Sequence, residues 1–154
     1  MKNNLLLVLF VMFLGVFTLL GQDETQKPPE EGLHNEVGLV TGLSTGFGLS
    51  YKYTFRKYGM QLVFIPLIFE DYSIVSAGFT FMYNIYKDQG SGVYLYQANH
   101  LFTFENSVSI INGIGVGVEL KFSNRVAINL MGGYANYDGE VFASSAEVGL
   151  FYKF

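Results

Sequence analysis

Residues 147–154, EVGLFYKF, alternate between two kinds of side chain. Successive side chains of a β-strand point to opposite faces of the sheet, so a period of two identifies a strand whose faces meet different surroundings. One face here is entirely apolar or aromatic: Val148, Leu150, Tyr152 and Phe154. The other face is mixed: Glu147, Gly149, Phe151 and Lys153. The stretch therefore predicts a strand with one apolar and one mixed face.

The same period of two continues upstream through most of the chain. It is clear in GFGLSYKYTFRK (46–57), GIGVGVELKF (113–122) and RVAINLMGGY (125–134), and no helical period interrupts it. Turn residues divide the region into eight predicted strands, near 35–43, 46–56, 59–69, 73–86, 92–99, 110–122, 126–136 and 141–154. Eight alternating strands predict an all-β fold, an eight-stranded antiparallel up-and-down β-barrel.

The composition indicates which face of the barrel is turned outward. Hydrophobic residues make up 50% of the chain and charged residues only 14%, whereas a soluble domain has about 25% charged residues. The mixed face is rich in Gly, Ser, Thr and Asn, as expected for the narrow polar interior of a transmembrane barrel whose apolar face meets lipid. A soluble periplasmic barrel that binds a hydrophobic ligand is the alternative, and it would reverse the two faces. Residues 34–154 contain seven basic and nine acidic side chains, which gives no reason to expect binding to nucleic acid.

The beginning of the chain predicts a targeting segment and a tether. Lys2 precedes an apolar run over residues 5–20, short for a bilayer helix of roughly 20 residues, so residues 1–21 are predicted to be a cleaved signal peptide. A membrane anchor is the alternative for this segment. Residues 22–33 are acidic and contain two of the three prolines, which predicts a flexible periplasmic tether; residues 34–154 form the barrel. The chain has no cysteine, so neither a disulfide nor a lipidated N-terminus is expected.

The last strand also resembles the terminal assembly signal of bacterial outer-membrane barrels, which is polar–x–Gly–x–x–aromatic–x–aromatic. Glu147, Gly149, Tyr152 and Phe154 fill this pattern in order. The resemblance is to the family of small eight-stranded outer-membrane barrels of Gram-negative bacteria. It implies a protein of the bacterial outer membrane with both termini periplasmic, recognised during biogenesis by the barrel-assembly machinery and periplasmic chaperones.

The alternation assigns side chains to the lumen and to the lipid-facing surface. Charged and amide side chains are predicted to form a network of mixed sign that plugs the lumen, because buried charges are costly unless paired: Lys52, Arg56, Glu119, Lys121, Asn129, Glu147 and Lys153. Aromatic side chains are predicted to face lipid: Phe47, Tyr51, Tyr53, Phe55, Phe122, Tyr152 and Phe154. Inward glycines such as Gly115, Gly117 and Gly149 leave room for bulky neighbours in a narrow barrel.

Two features leave a lipid-modifying outer-membrane enzyme as an alternative. His100 precedes Glu105, Ser107 and Ser109 in a predicted outer loop, 100–109, but the close His–x–Ser spacing of lipid A deacylases is absent. Pro66 lies inside a predicted strand, where proline is unusual; outer-membrane palmitoyltransferases use prolines to open a lateral gap, whereas a strand end or bulge near the rim explains Pro66 more simply. No catalytic, cofactor-binding or metal-binding residue is predicted.

The expected function is therefore a structural or interaction role in the cell envelope, without catalysis. Outer-membrane lipids and lipopolysaccharide are the expected surroundings, and the predicted outer connections are short. Short connections disfavour a large adhesive surface, so a small accessory barrel or a subunit of a larger envelope complex is expected.

Overall fold

The computed structural model describes residues 34–69, 73–88, 90–105, 107–123, 125–139 and 141–154. The predicted signal peptide (1–21) and tether (22–33) lie outside the described residues. The element bounds are β1 His34–Gly42, β2 Gly46–Phe55, β3 Tyr58–Ile68, β4 Ser73–Lys87, β5 Ser91–Phe104, β6 Ser107–Lys121, β7 Val126–Tyr137 and β8 Val141–Lys153.

The eight strands form one closed antiparallel barrel in sequence order. Closure is made by β8 pairing with β1, from Glu36↔Lys153 to Thr41↔Val148. The predicted all-β, eight-stranded up-and-down barrel is confirmed. Among the described residues, no helix is long and apolar enough to cross a bilayer.

The barrel has a near end and a far end. The near end is where the described chain enters β1 and leaves β8, together with the connections 56–57, 88–90 and 122–125. The far end carries the connections 43–45, 69–72, 105–106 and 138–140. In an up-and-down barrel with an even number of strands, both termini necessarily lie at one end.

The largest departure from the predicted strands is at β5 and β6. These strands pair without interruption as far as Phe104↔Ser107, so the predicted loop 100–109 is wrong. Glu105 has a positive φ of 52°, as expected for a tight hairpin connection. The prediction failed because Leu101, Phe102 and Phe104 place bulky apolar residues on both faces and hide the period of two.

The β1–β2 hairpin is shorter than its neighbours. Pairing of β2 with β3 stops at Leu49↔Phe64, although β3 continues beside β4 through Pro66↔Val75 to Ile68. Strand β3 therefore neither ends nor bulges at Pro66. The proline removes no hydrogen bond to β2, since β2 does not pair with β3 at that height, and such an edge is where a strand tolerates proline.

The two faces of the barrel differ as predicted for a membrane barrel. Large apolar side chains are exposed on the outer face along its whole circumference, for example Leu39, Leu62, Phe81, Ile114 and Leu150. The enclosed side chains include charged and polar ones as often as apolar ones, among them Lys52, Gln61, Thr80, Asn129 and Glu147. A soluble barrel has its apolar face inside, so the arrangement argues against the soluble ligand-binding alternative.

Candidate functional site: the lumen of the barrel

Lys52 forms an ion-pair network across the near half of the lumen. Its side chain is 2% exposed, and its Nζ lies 2.7 Å from Glu36 Oε2 and 2.6 Å from Glu119 Oε2. Because Glu119 is on β6, opposite β2 in the barrel, the pair spans the lumen. The ammonium also lies 4.6 Å from the centroid of the Phe151 ring, a cation–π contact. We refer to Lys52, Glu36 and Glu119 as the lysine bridge.

Aromatic and sulfur-containing side chains fill the middle of the lumen. Met82, Tyr94, Tyr96, Ala98 and Met131 form one buried cluster. The Tyr96 hydroxyl reaches across to β8 and lies 3.5 Å from Ser145 Oγ, the limit of a hydrogen bond. Side chains are expected to fill most of the interior of an eight-stranded barrel.

Glycines make this filling possible, in agreement with their predicted steric role. A Cβ added at Gly117 would overlap the Tyr94 ring. A Cβ added at Gly149 would approach the Phe151 ring to 2.7 Å, and Phe151 packs in a second buried cluster with Val40 and Val63. The inward position of Val63 shows that the lumen is partly apolar on the β3 side.

The chain itself enters the far half of the lumen. Residues 43–45, which connect β1 to β2, fold into the barrel so that Ser44 and Thr45 are 0% exposed. The Glu147 carboxylate on β8 accepts hydrogen bonds from Ser44 N at 3.3 Å and Thr45 N at 3.2 Å. It also accepts one from the Ser44 hydroxyl. We refer to residues 43–45 as the inserted turn.

His100 holds the opposite side of the inserted turn. Its Nδ1 lies 2.8 Å from the Leu43 carbonyl oxygen, which only accepts hydrogen bonds, so Nδ1 is the donor. Its Nε2 lies 2.9 Å from Ser76 Oγ, and Ser76 Oγ accepts a hydrogen bond from Phe47 N at 3.0 Å. A side chain from β5 and one from β4 thus fix the main chain on both sides of the turn.

Two glycines on the facing wall leave room for the inserted turn. A Cβ at Gly78 would overlap the Thr45 carbonyl, and a Cβ at Gly113 would overlap the Ser44 side chain. Gly46 and Gly48, which follow the turn, have positive φ of 88° and 138°, conformations that glycine adopts readily. The local sequence therefore permits both the turn and the depth at which it sits.

Six of the seven predicted lumen residues lie either inside the barrel or at its near-end rim. Lys52, Glu119, Asn129 and Glu147 lie inside the barrel wall, although Asn129 has no hydrogen-bond partner among the described residues. Lys121 Nζ donates to the Asp88 carbonyl at 2.7 Å at the near-end rim, and Lys153, the last residue of β8, is half-buried there.

Arg56 and Phe47 are not where the alternation placed them. Arg56 is exposed in the connection 56–57 with a φ of 51°, and its guanidinium lies 5.2 Å from the Phe55 ring centroid, so it is not a lumen residue. The Phe47 ring lies 6.3 Å from that of the buried His100 and 5.9 Å from that of Phe102. Phe47 therefore packs toward the interior and is not lipid-facing, because the two flanking glycines with positive φ interrupt the alternation.

The other predicted lipid-facing aromatics lie on the outer face. Tyr51, Phe55, Phe122, Tyr152 and Phe154 are exposed and Tyr53 is half-buried. Within the predicted assembly motif, Tyr152 pairs with Val37 of β1 and Val126 of β7. Phe154 N donates to the Asn35 carbonyl at 3.0 Å, so the last residue is tied to β1.

The alternation alone could have found one residue that the prediction missed. Glu36 lies on the same face of β1 as the buried Val40, which is a sufficient signal for a lumen position. No pattern pointed to Ser44, Thr45 or Ser76, because they belong to, or hold, a turn that folds inward. Among the described residues, no group of three His, Asp or Glu side chains could hold a metal ion.

Comparison with known proteins extends the description of the fold. The structure resembles the N-terminal β-barrel domain of OprF from Pseudomonas aeruginosa, at 14% identity and a TM-score of 0.54, over 79% of this chain and 96% of that one. The chain has the fold of the small eight-stranded outer-membrane β-barrels. The structure also matches Ail, the attachment invasion locus protein of Yersinia pestis, at 16% identity and a TM-score of 0.48, over 80% of this chain and 99% of that one. Neisserial surface protein A matches at 16% identity and a TM-score of 0.44, over 79% and 96%. No protein-family model matches the sequence, and no curated protein matches it.

Proposed function

We propose that this chain is an integral outer-membrane β-barrel protein with a structural or interaction role in the envelope of a Gram-negative bacterium, and that its lumen does not conduct solutes. The observation that carries the proposal is the inversion of the two faces. Apolar side chains cover the outside, whereas Lys52, Glu36, Glu119 and Glu147 are enclosed. Only a closed barrel satisfies every backbone group of a sheet in hydrocarbon.

The dimensions of the barrel fit this location. Its strands contain 9 to 15 residues, and about 9 to 11 suffice to cross a bilayer at a tilt. A girdle of exposed aromatics surrounds the near end: Phe55, Tyr58, Tyr83, Phe122, Tyr152 and Phe154. Aromatic girdles mark the interfaces of transmembrane barrels, so the near end is proposed to lie at a lipid–water boundary.

The two closures of the lumen support a non-conducting barrel. The lysine bridge spans the near half, and the inserted turn occupies the far half at the height of Gly78 and Gly113. An ion that entered from either end would have to displace a paired charge or a hydrogen-bonded turn. Transport is therefore not part of the proposed function.

The interior also favours a role without catalysis. The pair of Ser76 and His100 has the distance of a nucleophile and its base, but both side chains are buried and both are engaged by the main chain at Phe47 and Leu43. Ser107 and Ser109 pair with Phe104 and Phe102 instead. The pair serves to hold the turn, and a lipid-modifying activity is not proposed.

The proposed orientation places the near end in the periplasm, with the far end facing outward into the lipopolysaccharide layer. Assembly by the barrel-assembly machinery, with periplasmic chaperones, would then act on β8 with its motif Glu147, Gly149, Tyr152 and Phe154. The same location allows the barrel to be a subunit of a larger envelope complex. Native pull-down from mild detergent tests that last point.

Fractionation and labelling test the proposal. The protein should be found in the outer-membrane fraction and should migrate faster on gels when unheated than when heated. Because the chain has no cysteine, single variants Ser107→Cys and Ser91→Cys report on the two ends; these residues begin β6 and β5. A membrane-impermeant maleimide added to intact cells should label only Ser107→Cys. Recovery in the soluble periplasmic fraction would overturn the membrane proposal, and labelling of Ser91→Cys alone would reverse the orientation.

A further inference from the structure

The near-end mouth of the barrel carries more positive than negative charge. Three strands end at this mouth with a lysine: Lys87 on β4, Lys121 on β6 and Lys153 on β8. Below them lies the lysine bridge, whose single ammonium is shared by two carboxylates. Four lysines therefore face two glutamates in this part of the lumen. Asp88 is the other acidic residue at the mouth, and Lys121 Nζ is bound to its backbone carbonyl.

The ammonium groups of Lys87 and Lys153 have no carboxylate within ion-pair distance among the described residues, although Glu119 and Glu36 attract both from farther away. The carboxylates of Glu36 and Glu119 themselves lie against Lys52. Both side chains are only partly exposed. The positive charges of these lysines repel one another in the confined mouth. An anion bound among them would be attracted to all of them.

A buried hydroxyl points to the same place. Tyr94 is 2% exposed, and its hydroxyl has no hydrogen-bond partner among the described residues. Leaving such a donor unpaired costs about 1–3 kcal/mol. The absence of a Cβ at Gly117 allows the ring to lie against β6. Tyr94 lines a cavity of about 10 Å³ together with Lys52, Asn84, Lys87 and Glu119, which is room for about one water-sized atom.

We infer that the near-end mouth is a binding site for an oxyanion, a phosphate or carboxylate group. One anionic oxygen enters the small cavity, where it accepts hydrogen bonds from the Tyr94 hydroxyl and the Lys87 ammonium. The remaining oxygens stay at the rim beside Lys153 and Lys121. Since the inserted turn closes the far half of the lumen, the anion is held and not passed through.

Two sources can supply this chemistry. One is a free or lipid-independent oxyanion such as inorganic phosphate. The other is the chain itself: residues 22–33 include Asp23, Glu24, Glu30 and Glu31 and lead directly into β1 at the near end. Glu31 precedes the first residue of β1 by three positions, a reach of about 10 Å in an extended chain. A carboxylate so close has a high effective concentration.

Phosphate titration followed by nuclear magnetic resonance tests the site. The protein as isolated from membranes is placed in nanodiscs of zwitterionic lipid at low salt, and the ring signals of Tyr94 are followed while inorganic phosphate is added. We expect a saturable shift. Tyr94→Phe should weaken binding about two- to tenfold by loss of one hydrogen bond, and the double variant Lys87→Gln/Lys153→Gln about tenfold. Since Tyr94→Phe lacks the reporter hydroxyl, its binding is read from the backbone amides of Gly92 and Glu119.

The double variant Arg56→Gln/Arg125→Gln is the matched control. It removes two positive charges at the same end, but Arg56 is exposed beside the Phe55 ring and Arg125 Nη1 donates to the Tyr152 hydroxyl at 3.0 Å on the outer face. Binding should change less than twofold. Equal losses in the arginine and the lysine double variants would overturn the site in favour of general charge attraction. Unchanged gel mobility and unperturbed far-end signals establish that each variant is folded.

A neutralised segment distinguishes the two sources. In the variant Asp23→Asn, Glu24→Gln, Glu30→Gln and Glu31→Gln, several-fold tighter phosphate binding would show that the chain's own carboxylates occupy the mouth. Unchanged binding would assign the site to a separate oxyanion. No shift of the Tyr94 signals in either the native chain or the neutralised variant would overturn the inference. None of these readouts depends on the cellular location or orientation of the barrel.

Discussion

The two halves of the lumen are occupied in opposite ways. In the near half, side chains meet side chains: Lys52 from β2 bridges Glu36 on β1 and Glu119 on β6. In the far half, the main chain itself fills the space, and Glu147 binds the amides and hydroxyl of the inserted turn. Both halves contain inward-facing carboxylates, but only in the near half does a cation pair with them.

The distribution of basic residues accounts for this difference. All seven Lys and Arg residues after residue 33 lie in the near half: Lys52, Arg56, Lys57, Lys87, Lys121, Arg125 and Lys153. A carboxylate in the far half therefore has no cation within reach and must be satisfied by amides and hydroxyls. Such charge-assisted hydrogen bonds are strong, but they need a chain segment to enter the lumen. The shortness of the β1–β2 hairpin is what brings one there.

Removing Lys52 should be the most damaging single change. Lys52→Met keeps much of the side-chain volume but leaves Glu36 and Glu119 buried without their cation, and breaking a buried pair in this way costs about 3–5 kcal/mol. Guanidinium unfolding in detergent micelles or lipid vesicles measures the loss. The triple variant Lys52→Met/Glu36→Gln/Glu119→Gln is the control and should recover most of it, since no buried charge remains unpaired. If the single variant were as stable as the native protein, the lysine bridge would not stabilise the near half of the barrel.

Glu147→Gln should have the next largest effect and should act on the other half of the lumen. The amide keeps the shape of the side chain but turns an NH₂ group toward the donors of Ser44 and Thr45. A buried hydrogen bond to a charged group is worth about 1.5–3 kcal/mol, so a loss of that size is expected in the same unfolding measurement. Because the turn would be released, the backbone amides of Ser44 and Thr45 should exchange their hydrogens with solvent faster. Loss of stability without faster exchange would mean that Glu147 is not what holds the turn.

Gly113→Ala should disturb the inserted turn while leaving the Glu147 carboxylate that binds it unchanged. The added Cβ would overlap the Ser44 side chain, and such overpacking costs about 1–3 kcal/mol. Gly132→Ala is a matched control on the neighbouring strand, since Gly132 is exposed and its Cβ would meet only Ser145 O at 3.8 Å. We expect lower stability and faster hydrogen exchange of the Ser44 amide for Gly113→Ala alone. Equal behaviour of the two variants would show that the turn has room to spare.

The near half of the lumen was more accessible to sequence reasoning than the far half. Alternation within β2, β6 and β7 is sufficient to place Lys52, Glu119 and Asn129 on the inner face of the near half. Once the strands are recognised, the need to pair a buried lysine predicts a network. Glu36 was missed although the same alternation applies to β1. The closure of the barrel followed from the number of strands and from the composition of the two faces.

The far half depends on main-chain geometry that alternation does not encode. The inserted turn follows from the shortness of β1 and from space left by Gly78 on β4 and Gly113 on β6, which face Thr45 and Ser44 only when the barrel closes. Phe47 turns inward because Gly46 and Gly48 adopt positive φ, so its position in the period of two was misleading. Likewise His100 was placed in a loop, whereas it is a buried strand residue bound to Leu43 and Ser76.

Tyr96→Phe should have the smallest effect of the four substitutions. Tyr96 crosses the middle of the lumen, but its hydroxyl lies 3.5 Å from Ser145 Oγ, so the bond is weak and the ring contributes mainly by packing. A weak neutral hydrogen bond contributes about 0.5 kcal/mol or less, and we expect a change of that size in unfolding free energy with no conductance. Ser145→Ala removes the partner on β8 and should behave in the same way. If either substitution were as costly as Glu147→Gln, the middle layer would be held by a strong polar contact and not mainly by packing. The lumen would then contain three polar layers: the lysine bridge, the Tyr96–Ser145 contact and the inserted turn.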